Sequence, residues 1–124
     1  MMELPSLFRL AKKVSYESDY RVRLGAVLVK HGKPISVGHN KIRYHNEYCW
    51  PNDATVHAEM SALLASGKEH LDNSIMIIYR EHGIDGLPLL ARPCKHCMKA
   101  LKEFGVKKIY YTTDEYPFFE VEKL

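Results

Sequence analysis

The sequence predicts an α/β fold with three layers, α/β/α, built on a mixed sheet of four to five strands. Three observations carry this. Apolar residues recur at helical spacing in three stretches, and short runs rich in β-branched residues stand between them. The elements follow in the order α-β-β-α-β-α-β. The run "SIMIIYR" is apolar at nearly every position, as a strand covered on both faces must be, so helices are required on both sides of it.

Each element has a local cause. Leu4, Leu7, Phe8, Leu10, Ala11 and Val14 lie on one face of a helix spanning about residues 5–16. "LGAVLVK" (24–30) and "PISVGHN" (34–40) flank the turn "KHGKP" and form a β-hairpin. Residues 41–55, "KIRYHNEYCWPNDAT", lose all periodicity; a loop of this length in a compact domain is typically functional. Thr55 is expected to cap a helix over 56–66, and Gly67 to end it. "SIMIIYR" (74–80) is the buried strand, and residues 81–92, with Gly83, Gly86 and Pro88, form a second long connection. Pro93 suits the start of a helix that runs to Phe104 and stops at Gly105. "VKKIYYT" (106–112) follows as a strand parallel to 74–80, joined by a right-handed crossover. Too few residues remain for another parallel return, so "FFEVEK", if it is a strand, must fold back as an antiparallel hairpin partner.

Length and composition bound the function. The 124 residues imply one domain over 1–124. A net charge of +3, with Lys and Arg scattered, is only mildly basic and does not by itself indicate nucleic acid. No apolar run approaches the ~20 residues of a membrane span. "MMELPSLFRL" carries Glu3 and Pro5 and has no continuous apolar region, so no signal peptide is expected and the cytoplasm is the expected location. Three cysteines, Cys49, Cys94 and Cys97, are an odd number. They argue for a metal or redox role over a disulfide framework.

The chemistry sits in two segments. In "TVHAEMSALL", His57 and Glu59 are two apart, which on the body of a helix turns them about 200° from each other. In a first turn both can instead reach forward past the helix end. In "RPCKHCMKALKEFG", Cys94 and Cys97 stand three apart at a helix N-terminus, where the dipole and free N–H groups favour thiolate. Two such N-termini meeting would offer zinc one histidine and two cysteines. Three protein ligands leave a fourth position for water, the catalytic pattern. Glu59 beside that water could move its proton. Alternatives exist for the parts. A C-x-x-C alone could be a redox pair, but it comes late and has no preceding first strand of a thioredoxin-like unit. A structural zinc-binding interaction module would need a fourth ligand, for which Cys49 and His96 are the best candidates, and would leave Glu59 indifferent. Cys49 could also be a spare thiol, a lid residue, or part of a second metal site with His45.

With "HAE" (57–59) and "PCKHC" (93–97) in this order, the chain resembles the cytidine/deoxycytidylate deaminase superfamily, in its compact phage and bacterial form. The resemblance extends to "GAVLV" (25–29) and "GHN" (38–40) and covers about 20–112. It implies that His57, Cys94 and Cys97 bind Zn2+ and that Glu59 shuttles protons among water, ring nitrogen and departing ammonia. It implies that backbone N–H groups of Ala58 and Cys94 help hold base and water, with Pro93 beside them. By the same resemblance Asn40 contacts the sugar or base edge and Ala26 packs beside the ring. Tyr44, Tyr48 and Trp50 would form either a satellite core or a lid stacking on the base. Arg21, Arg23 or Arg92 could bind a 5′-phosphate.

Signals for the substrate conflict. A histidine as first ligand is shared with deoxycytidylate, tRNA-adenosine and polynucleotide cytidine deaminases. Free-cytidine deaminases typically carry cysteine there and glycine after the first cysteine of the pair, where this chain has Lys95. The tail, however, suits the hairpin ending of the free-nucleoside branch. Ser61 stands where the deoxycytidylate type commonly has asparagine, and 33 residues (60–92) separate Glu59 from Pro93, more than is usual in polynucleotide editors. The reading is conversion of cytosine to uracil in a free nucleotide or nucleoside, deoxycytidylate first, by a homo-oligomer without membrane contact. The alternative is a polynucleotide substrate held by Lys41, Arg43, Tyr44, Tyr48 and Trp50.

Overall fold

The computed structural model describes residues 3–18, 22–42, 55–67, 71–82 and 85–124. Helix α1 (Leu4–Ser15) opens the chain and is followed by strands β1 (Val22–Lys30) and β2 (Lys33–His39). Two-residue strands β3 (Lys41–Ile42) and β4 (Thr55–Val56) pair antiparallel with each other, directly ahead of α2 (Ala58–Ala65). Then come β5 (Ser74–His82), α3 (Lys95–Phe104), β6 (Val106–Thr112) and β7 (Phe119–Lys123). The main sheet has five strands in the order β2-β1-β5-β6-β7. β5 and β6 are parallel, while β1 runs antiparallel to both β2 and β5. β7 folds back antiparallel on β6, from Thr112–Phe119 to Lys108–Lys123, across a connection too short for a parallel crossover.

Period-two alternation divides the sheet into two apolar faces. Val27, Val29, Ile77 and Tyr79 face α1, where Leu7 and Ala11 cover them. Ala26, Leu28, Met76, Ile78, Ile109 and Tyr111 face α2 and α3 and pack with Met60, Leu63, Cys97 and Leu101. β5 is covered on both sides, as its composition demands. The layers are therefore α/β/α, with α2 and α3 sharing one face. Among the described residues, no helix is long and apolar enough to cross a membrane.

Two glycines let helices approach the sheet at backbone distance. A Cβ on Gly25 would collide with the carbonyl oxygen of Ala11 and lie 2.7 Å from Ser15 N, so α1 rests directly on β1. On the other face, a Cβ on Gly38 would collide with Ala62 N and lie 2.6 Å from Ala58 O. Ser36 Oγ donates to Ala62 O at 2.7 Å across the same contact. α2 is thereby seated on β2, with Ala58 and Ala62 fully buried.

Helix boundaries differ from the sequence reading at two points. Thr55 does not cap α2: it pairs with Ile42, and His57 is the cap residue, in extended conformation. The short β3–β4 ladder keeps the chain extended two residues longer. Likewise α3 begins at Lys95 and not at Pro93; Cys94 is its cap, still extended at φ −67° and ψ 168°. The helix ends agree, with Gly67 (φ 66°) following α2 and Gly105 (φ 93°) closing α3 in left-handed conformation.

Gly38→Ala is expected to push α2 off β2. It should cost about 1–3 kcal/mol, as overpacking does, and lower the thermal midpoint by several degrees in a circular-dichroism melt. Stability should also fall at high pH. Burial, then the hydrogen bond to Glu120 Oε2 (2.9 Å), pushes the Tyr111 phenol from 10.0 up to about 12. A phenol raised in the fold stabilises fully below its unfolded value and loses that contribution as pH rises through the folded one. The window is thus about pH 10 to 12, and a parallel phenolate-absorbance and unfolding titration checks it. Tyr111→Phe should flatten the loss there.

Candidate metal centre

The cap positions of α2 and α3 bring the two motifs together. A cap residue is extended while the next is helical, so its side chain projects past the helix end. His57 holds this position in α2 and Cys94 in α3, and neither makes a side-chain capping bond to its own helix. Cys97 is the third helical residue of α3, and a cap and third residue are neighbours, as in a capping box. Facing each other, the two ends place His57 Nδ1 3.3 Å from Cys97 Sγ and 3.6 Å from Cys94 Sγ. All three ligand atoms lie within 4.8 Å of one another.

Those spacings suit zinc. Tetrahedral zinc, with bonds of roughly 2.0–2.3 Å to nitrogen and sulfur, requires ligand atoms about 3.5–3.8 Å apart. Among the described residues, His57, Cys94 and Cys97 form the one group able to hold a metal ion, and it contains three ligands. His96, considered above as a fourth, is exposed and outside it. Cys49 and His45 lie outside the described residues.

Glu59 stands behind the cluster as the second residue of α2. It is 3% exposed, and its Oε1 is buried without a hydrogen-bond partner. Burial raises its carboxyl above the ordinary value; the charge of His57, its own backbone amide, Cys97 and the charge of Arg80 pull the other way. Burial also pushes the Cys97 thiol far up, and Glu59 and Cys94 add to this. A divalent cation bound here would offset this: it would favour the thiolates and give the buried carboxylate a water or ligand to face. The donor set and the unpartnered oxygen thus fit a zinc ion with an open fourth position.

The other residues singled out by sequence fall in several places. Ala58 and Pro93 are buried beside His57 and Cys94. Ala26 is fully buried in the core cluster that also holds Ala58 and Cys97, so it underlies the site without presenting surface to it. Asn40 is 3% exposed and bridges to β1: Oδ1 accepts from Leu24 N (3.1 Å) and Nδ2 donates to Val22 O (2.9 Å). One amide hydrogen and one lone pair remain for another partner. Arg23 is three positions from Ala26, on the opposite side of β1, with its guanidinium 5.4 Å from the Tyr16 ring centre. Arg92 is held by Glu122, with Nε and Nη2 at 3.0 and 3.2 Å. Arg21, Arg43, Tyr44, Tyr48 and Trp50 lie outside the described residues, as does the side chain of Lys41.

Sequence reasoning missed Arg80. Strand alternation from Met76 and Ile78 puts it on the face of the metal cluster, where its charge acts on Glu59. That signal was present in the period of "SIMIIYR".

Comparison with known proteins agrees with this geometry. The family model for the cytidine and deoxycytidylate deaminase zinc-binding region matches residues 1–113. ComE operon protein 2 of Bacillus subtilis (strain 168) is 29% identical over 103 residues, covering 76% of this chain and 50% of that protein. The chain thus spans about half the length of the curated relative it matches. Among solved structures, dCMP deaminase from the cyanophage S-TIM5 is 27% identical with a TM-score of 0.68, covering 90% of this chain and 86% of that one. Cytidine deaminase from Burkholderia pseudomallei, 21% identical, shares the fold with a TM-score of 0.69 over 98% of this chain and 93% of its own. With the motifs, the meeting helix ends and this match over most of its length, the chain belongs to the cytidine and deoxycytidylate deaminase zinc-binding family.

Proposed function

We propose that the chain, as one domain over 1–124, hydrolytically deaminates cytosine to uracil in a free nucleotide or nucleoside, with deoxycytidylate preferred. The observation that carries this reading is the buried, unpartnered Glu59 Oε1 beside a His-Cys-Cys cluster. His57, Cys94 and Cys97 would hold zinc, whose Lewis acidity makes a water acidic enough to deprotonate near neutral pH.

The chain's own residues then account for the proton movements. Glu59 takes a proton from water and delivers it to ring N3 while the water oxygen bonds to C4. It takes the remaining proton from that oxygen and delivers it to the exocyclic nitrogen. The C4–N bond breaks, ammonia leaves and the C4 carbonyl forms, so water and cytosine balance uracil and ammonia. A raised carboxyl suits this work, because a shuttle must both accept and return a proton. The N–H groups of Ala58, which opens α2, and of Cys94, the cap of α3, have no intrahelical partner and suit the base and water. The free hydrogen and lone pair of Asn40 suit a sugar or base edge.

Deoxycytidylate is favoured by the histidine first ligand and by the likeness to a phage protein described as a dCMP deaminase. The reading includes a homo-oligomer in the cytoplasm, where thiols stay reduced. Exposed Tyr116, Phe118 and Val121, along the β6–β7 turn and the free edge of β7, are the kind of apolar surface that a subunit contact covers.

Metal analysis of the purified chain should find about one zinc per chain, lost in Cys97→Ser and on chelation with a fall in thermal midpoint. Glu59→Gln should keep the zinc and lower kcat by about 10²–10⁴-fold; near-parental turnover in that variant would remove Glu59 from the mechanism. Ammonia release should be measured on dCMP, CMP, dCTP, deoxycytidine, cytidine, adenosine and a single-stranded oligonucleotide. dCMP is expected to be turned over best. Turnover confined to the oligonucleotide would replace the free-nucleotide assignment with a polynucleotide one.

A further inference from the structure

The parallel ladder between β5 and β6 ends at the Ile78–Tyr111 pair, and the chain returning to α3 enters the gap beyond it. On the β5 side, Pro88 bridges Glu81, and Leu89 N donates to Arg80 O at 2.9 Å. On the β6 side, Ala91 N donates to Thr112 O at 2.9 Å. The Thr112 hydroxyl joins the two sides: it accepts from Arg80 N (3.1 Å) and donates to Leu89 O (2.8 Å). Arg80 Nη1 donates to Leu90 O at 2.9 Å, and Arg92 is held by Glu122 of β7. Each residue from 89 to 92 is thereby tied to β5, β6 or β7, and Pro93 and Cys94 follow directly.

This matters because α3 itself holds Cys94 through the backbone alone, with Met98 N donating to Cys94 O at 2.9 Å. Cys94 is a cap without a side-chain capping bond, at the end of an irregular connection. Ligand distances around a metal tolerate only about ±0.2 Å. A slip of the connection would carry Cys94 Sγ away from His57 Nδ1. Thr112 is 4% exposed, and its hydroxyl is engaged on both sides, donating to Leu89 O of the connection and accepting from Arg80 N of β5.

We infer that Thr112 and Arg80 are positioning residues for the metal centre, setting the register of residues 89–92 and hence the place of the Cys94 sulfur. This rests on the assignment of His57, Cys94 and Cys97 as zinc ligands. It does not depend on which substrate is deaminated.

The test is zinc affinity of the full chain, measured by competition with a chromophoric chelator, alongside melting of the metal-free protein. Thr112→Val keeps the shape and removes the hydroxyl. It should weaken zinc by about 10–100-fold, the range for lost supporting contacts, while Thr112→Ser retains affinity to within a few-fold. Parental affinity in Thr112→Val overturns the inference. Should that variant fail to fold, Arg80→Met decides. Removing a cation near a dication site would by charge alone tighten zinc, whereas losing the tie to Leu90 weakens it. Weaker zinc supports the positioning role; equal or tighter zinc overturns it. A parent chain that binds no zinc overturns the ligand assignment beneath it. A chain that binds zinc with this dependence on Thr112 yet releases no ammonia from cytosine sinks only the proposed reaction.

Discussion

α2 can face the cysteine pair because it lies directly on the backbone of β2. Gly38 leaves no side chain between them, and Ser36 ties the strand to Ala62 O. This contact sets the height and direction of the helix whose first residues include Glu59 and whose cap is His57. α3 is brought to the same face by the crossover from β5 to β6, whose parallel pairing leaves both helix N-termini at one end of the sheet. Everything at the site depends on that convergence. Neither helix spends its cap side chain on its own amides, so histidine and cysteine stand where serine or aspartate would ordinarily cap.

The convergence creates an electrostatic deficit. Two sulfurs and a carboxylate are crowded together, with Cys94 half-buried and Cys97 and Glu59 buried, and burial disfavours the charged forms of Glu59 and Cys97 alike. The charges of His57 and Arg80 offset this in part at Glu59. A bound dication would offset it, and a histidine set beside the two sulfurs fits a metal centre better than a redox pair. Because thiol ligands bind as thiolates, zinc binding here would release protons and depend on pH.

The two halves of the centre are held by different means. The His57 half is seated by close packing of helix on strand. The Cys94 half is suspended from a connection that must be registered by hydrogen bonds, and Thr112 and Arg80 supply them. β7 completes this side through Arg92–Glu122 and Tyr111–Glu120. The short tail is thus more than a fifth strand, since it braces the segment leading to Pro93.

Much of this was legible in the sequence, because its causes are local. Alternation marks β5 and β6 and their faces, the apolar stripe marks α1, and Gly67 and Gly105 mark helix ends. The ligand set follows from residue chemistry and spacing, and the short connection after β6 suits an antiparallel β7. Helix starts were misread at Thr55 and Pro93 because distant pairing keeps the chain extended past a good local signal, as Ile42 does for Thr55. Alternation from Ala26 already turns Arg23 toward α1, where its guanidinium meets the Tyr16 ring. What only the tertiary structure decided is non-local. It placed β1 against β5, buried the Glu59 oxygen without a partner, and slid residues 88–91 into the gap between β5 and β6. Sequence determines which atoms can bind a metal; only the packing of α2 on Gly38 and the ties to Thr112 determine that they meet, because contact between residues 40 apart is set by the sheet between them.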